Sequence, residues 1–157
     1  MKQKGFTVIE MMVVGAIGTI LLTIVLYVLT SSAKMASKAR LNRIIDDQGA
    51  WLMFELRKNL MAARVDSISC TNNTVTFNNR FNNGQTSIVC ADNKVASSSA
   101  YPADLTSSEV RVDCGSEFVR CDPSSVTFNF ILTTGVNAAR PEDYTYKGFS
   151  TVVTVRE

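Results

Sequence analysis

The stretch "KGFTVIEMMVVGAIGTILL", residues 4–22, decides how this chain is read. It sets one glutamate, Glu10, just ahead of an uncharged run. That run, residues 11–30, is about twenty residues long, the length at which an α-helix spans a bilayer. It contains no proline. Gly15, Gly18 and Thr19 are small enough to let a second helix approach, although the glycines do not have the GxxxG spacing. A carboxylate in hydrocarbon is costly, and such residues are usually functional.

The other 127 or so residues are of a different kind, rich in Asn, Ser and Thr. The whole chain of 157 residues has room for an anchor and one domain. Its net charge of +2 is too small to imply direct nucleic-acid binding. It has no histidine, and so lacks the commonest general base and the commonest metal ligand. There is no GxSxG motif, phosphate-binding loop or metal-ligand cluster. Asp46 and Asp47 are adjacent on an expected helix, so their carboxylates point apart and cannot converge on a substrate. "ARPEDYTY", residues 139–146, reads as a solvated acidic loop rather than a cation site. No catalytic residue, metal or cofactor is expected.

Three readings of the N-terminus compete. Lys2, Lys4 and a small-residue "SSA" at 31–33 could mark a secretory signal peptide, but the apolar run is too long and Glu10 sits badly inside it. A generic signal anchor is the second. Lys34, Lys38, Arg40 and Arg43 follow the run, and counting basic residues would put the C-terminal part inside. The third rests on "GFTVIEMMVV", which resembles the N-terminus of type IV prepilins and the pseudopilins of type II secretion and competence systems. That family has a short basic leader ending in Gly, then Phe, then Glu five places after the Gly, then a long apolar run. Lys2, Lys4, Gly5, Phe6, Thr7 and Glu10 match it.

The resemblance implies cleavage between Gly5 and Phe6 by a prepilin peptidase and N-methylation of Phe6 by the associated methyltransferase. It implies other pilin or pseudopilin subunits, an inner-membrane assembly platform and membrane lipid as partners. It also gives Glu10 a role in assembly and register. The new amine on Phe6 would lie one helical turn from Glu10. In the packed helices of a filament, an incoming amine would meet a neighbour's carboxylate, each being costly unpaired in low dielectric. The local alternative is a carboxylate that snorkels to the headgroups. Many major pilins carry a mid-segment proline. This chain reads "LLTIVLYVLT" there, so no proline kink is expected.

Beyond the span the helix is expected to continue. Residues 31–65 hold no proline and one glycine, Gly49, and Leu41, Ile45, Leu52, Leu56 and Leu60 recur at helical spacing with Ile44 and Trp51 alongside. A helix from Phe6 to Ala63 would be roughly 85 Å long. After Val65 come short β-rich runs: "SISC", "TVTFNN", "TSIVC", "VRVDC", "SVTFNFILTT" and "FSTVVTV". Turn residues separate them, at 71–73, 78–84, 91–93 and 122–124. "NNT" at 72–74 reads as a turn rather than a glycosylation site. Residues 94–108 read as a loop. The expected fold is α+β, pilin-like: a long N-terminal helix packed on a small antiparallel sheet. Its parts are a leader (1–5), a transmembrane assembly helix (6–30), an amphipathic stalk (31–65) and an extracytoplasmic β head (66–157). The helix end "FELRKNLMAA", the following hairpin and the closing "FSTVVTVRE" also resemble minor pilins and J-type pseudopilins.

Cys70, Cys90, Cys114 and Cys121 all fall in the expected head. An even number there suggests disulfides rather than zinc, since no CxxC pair or histidine accompanies them. Three pairings exist. Cys114–Cys121 is favoured because "CGSEFVRC" closes a short loop, with Cys70–Cys90 as the remainder. The expected function is a minor pilin-like or pseudopilin filament subunit, in the inner membrane before assembly. The alternative is a signal-anchored extracytoplasmic binding or sensor domain that never assembles.

Overall fold

A computed structural model of the chain describes residues 7–81, 84–98, 103–115, 117–135, 140 and 142–154. Two compact units divide after Ser37, and one helix, α1 (Val8–Met61), contributes to both. In the first unit, every large apolar side chain from Val8 to Leu29 is more than half exposed. This part of α1 is long and apolar enough to cross a membrane.

The second unit begins at Lys38. There α1 buries Ile45, Gly49, Leu52, Leu56 and Leu60, spaced four, three, four and four residues apart on one face. Trp51, expected beside that stripe, lies on the outer side and is half exposed, with its ring 6.3 Å from that of Phe54. At the end of α1 the Ala62 and Ala63 N–H groups donate to Asn59 O and Leu60 O, and Arg80 takes up two carbonyls just beyond. The Arg80 backbone N–H donates to Ala62 O at 2.8 Å, and Arg80 Nε donates to Ala63 O at 2.9 Å. A 3-10 turn, Val65–Ser67, leads into the strands.

The first sheet is an antiparallel meander in chain order. Its strands are β1 (Ser69–Thr71), β2 (Thr74–Asn78), β3 (Gln85–Ala91), β4 (Lys94–Ser98) and β5 (Ala103–Asp104). Alternation buries Val75, Phe77, Ile88, Cys90 and Val95 and leaves Thr76, Ser87 and Ser98 on the other face. The segment expected as a loop, 94–108, thus contains β4 and β5. Asp92 (φ 52°) and Asn93 (φ 60°) supply the two left-handed residues of a tight hairpin turn, which returns the chain alongside β3. The hairpin forces "KVASS" into a ladder that its small side chains alone would not signal.

The second sheet holds β6 (Val110–Asp113), β7 (Val119–Asp122), β8 (Ser125–Gly135) and β9 (Tyr144–Thr154). The expected single sheet is therefore two. β9 pairs with β8 along its whole length. β6 and β7 then share the opposite edge of β8, β6 against residues 131–134 and β7 against 125–128. Phe118, Phe128 and Phe130 pack as a ring cluster, and Phe149 stacks on Phe130 at 5.6 Å. β9 is tied to α1 by a polar ladder: Lys38 Nζ donates to Tyr144 O (2.6 Å), Thr145 Oγ1 to Asn42 Oδ1 (2.8 Å) and Lys147 Nζ to Asp46 Oδ1 (2.7 Å). Gly49 lies against the Phe149 ring, where a Cβ would collide.

The favoured cysteine pairing is wrong. The bridges are Cys70–Cys121 and Cys90–Cys114, with Cα atoms 6.1 and 6.0 Å apart. Asp113 faces Ile131 and Cys121 faces Val126 along one edge of β8. Cys114 and Cys121 are thus separated by roughly 13 Å at about 3.3 Å per residue, beyond the ~7 Å a bridge tolerates. Cys70 and Cys90 lie on β1 and β3 with β2 between them, about 9.5 Å of strand spacing. Both actual bridges join the first sheet to the second.

Candidate functional site

The chemistry-bearing residues sit at the start of α1. Thr7 precedes the first helical residue, and its carbonyl accepts the Met11 N–H at 3.3 Å, which makes it the N-cap. Glu10 is the third residue of the helix. Its backbone N–H donates to Thr7 Oγ1 at 3.3 Å, while its own Oε2 accepts the Thr7 N–H, also at 3.3 Å. This is a reciprocal capping box, satisfying two of the donors that a helix start leaves open. A carboxylate in the first turn also faces the positive end of the helix dipole. Glu10 therefore has a local task within its own chain. Its sequence signature is Thr-x-x-Glu before an apolar run, a local pattern that the longer-range pairing expected of Glu10 does not take into account.

Among the described residues the first unit holds no second acidic side chain and no basic one before Lys34. Thr19, Thr23 and Thr30 turn their hydroxyls back onto helix carbonyls at 2.8 to 3.0 Å, so their polar groups are hidden from an apolar surround. Residues 1–26 match the family model described as the prokaryotic N-terminal methylation motif. The chain carries the type IV prepilin signature. The match covers the leader and most of the apolar run. No curated protein and no solved structure matches the chain.

Gly5 and Phe6, the expected cleavage and methylation positions of the prepilin signature, lie outside the described residues. Glu10 lies at the helix start described above. The four cysteines are far along the chain, in the head, where they staple the sheets. Among the described residues, no group of three or more metal-ligating side chains gathers. Asp46 and Asp47 diverge as expected, Asp46 to Lys147 and Asp47 to Arg43. The prepilin-motif family is structural rather than catalytic.

Proposed function

We propose that this protein is a filament subunit of the minor pilin or pseudopilin kind. It is cut between Gly5 and Phe6 by a prepilin peptidase, methylated on Phe6, and held in the inner membrane with its head outside until assembly. The apolar, exposed first part of α1, headed by Glu10 and covered by the prepilin signature, supports this reading most directly. Such a surface is a poor solute in water. It is at home either in lipid or among the same helices of neighbouring subunits.

Assembly through these helices brings a neighbour's Phe6 amine near Glu10. The carboxylate then has two claimants, its own Thr7 N–H and the incoming cation. Because a carboxylate accepts several hydrogen bonds, it can serve both. The head, closed by two bridges, suits an oxidising compartment.

Intact mass spectrometry of the chain recovered from membranes tests the proposal. The expected mature chain begins at Phe6 with one added methyl group. A chain beginning near Lys34 would show an ordinary signal peptide, and an uncut chain in the membrane would show a plain anchor.

A further inference from the structure

Among the described residues four strand edges bound the two sheets, and three are blunted. β5 has two residues. β1 has three and is closed against β7 by the Cys70–Cys121 bridge and by the Val119 N–H donating to Asn72 O at 3.1 Å. The β6/β7 edge is broken between Asp113 and Val119. The fourth edge, β9, is eleven residues long and paired on one side only. Natural sheets avoid such an edge, because its free N–H and C=O groups template another strand.

The direction of those groups can be read from the ladder. The Asn129 N–H donates to Phe118 O, toward the β7 side of β8. Asn129 therefore does not bond its partner Ser150, whose own N–H and C=O point away from β8. The Tyr144 carbonyl, six residues back and so in phase, is the one that Lys38 reaches. Tyr146, Gly148, Ser150, Val152 and Thr154 are in the same phase. All five are exposed, their N–H and C=O groups point away from β8, and among the described residues no backbone group from outside the sheet bonds to them. Gly148 has open space where a side chain would stand. The residue that would normally guard such an edge, Lys147, is drawn onto Asp46 instead.

We infer that the free edge of β9 is a docking site for an extended strand from a neighbouring filament subunit. Water satisfies these groups one at a time, and the protein segment that matches a whole row of alternating donors and acceptors is an extended strand, which makes the contact a β-augmentation. None of the five outward residues is charged, so the incoming strand needs uncharged side chains on the shared face. This inference rests on the filament reading above.

The test uses the full chain co-expressed with its partner subunits. Ser150→Pro removes one outward N–H without touching the β8 ladder, and proline is tolerated on an edge strand. Ser150→Ala controls for the lost hydroxyl contact to Asn129 Oδ1 (2.8 Å). Non-reducing peptide mapping confirms that both variants keep the native bridges. Expected is a fall of about tenfold in filament recovery for Ser150→Pro at unchanged membrane level, with Ser150→Ala near wild type. A photo-crosslinking residue at Tyr146 or Val152, but not at Ile131 in the middle of the sheet, should capture a strand segment of another subunit. Wild-type recovery of Ser150→Pro, or crosslinks to a helix or to nothing, would overturn the inference while leaving the filament reading standing. Absence of the wild-type chain from filaments would overturn both.

Discussion

The capping role of Glu10 and its proposed role in register can be separated by single substitutions. A capping box accepts Gln in place of Glu, so Glu10→Gln keeps the helix start and loses the charge. Thr7→Val does the reverse. If register depends on pairing with a neighbour's amine, Glu10→Gln should drop out of filaments while Thr7→Val assembles near wild-type level. The scale is set by about 3–5 kcal/mol for a buried charge left alone, against about 0.5–2 kcal/mol for a lost cap. Recovery in sheared filaments, normalised to the membrane fraction, measures this. Loss of Thr7→Val with Glu10→Gln near wild type would mean that the cap, and not the charge, matters. Gly49 gives a second residue-scale test. In an open helix Gly→Ala gains about 1 kcal/mol, but here the new methyl meets the Phe149 ring, which Phe130 holds by stacking. Gly49→Ala should therefore lower the thermal midpoint, by an overpacking cost of about 1–3 kcal/mol.

At the scale of elements, α1 serves two solvents with one secondary structure. Its first part exposes apolar side chains on all sides, and its second part buries one stripe. The two patterns call for different behaviour on substitution. Leu56→Ala, at a fully buried position, should cost about 2–5 kcal/mol of head stability. Leu22→Ala, at an exposed one, should leave the head's denaturation midpoint unchanged and act only on membrane retention or assembly. Chemical denaturation followed by Trp51 fluorescence in detergent checks both, since Trp51 sits on the α1 segment that packs in the head.

For the whole molecule, the two bridges decide how the sheets hold together. They close separations of 51 and 24 residues, worth about 3–4 kcal/mol each in the chain-entropy account. Their settings differ. Cys121 is exposed and Cys70 half-buried, whereas Cys90 is buried. Mild reductant should therefore open Cys70–Cys121 first, with Cys90–Cys114, which is reachable only at the half-buried Cys114, following more slowly. Timed thiol alkylation and peptide mapping would show it. Early labelling of Cys90 would contradict the burial.

Local patterns sufficed for much of this protein. Length and apolarity specified the span, and helical spacing specified the buried stripe Ile45–Leu52–Leu56–Leu60. Period-two runs located six strands, and residue types at fixed spacing carried the prepilin signature. These are properties of neighbours along the chain, set by backbone geometry, so they survive without tertiary contacts. The cap on Glu10 was equally local and was legible in Thr-x-x-Glu. What the tertiary structure alone decided was everything that depends on which strands lie side by side. β4 is mostly small Ala and Ser, β5 has two residues and β7 buries only Val119, so periodicity does not announce them, and they form because a tight turn or a neighbouring strand presents a ladder to them. The cysteine pairing followed from that arrangement. Sequence proximity suggested Cys114–Cys121, but a strand edge holds those residues apart, and each finds its partner across the two sheets, where the backbone brings Cα atoms within about 6 Å.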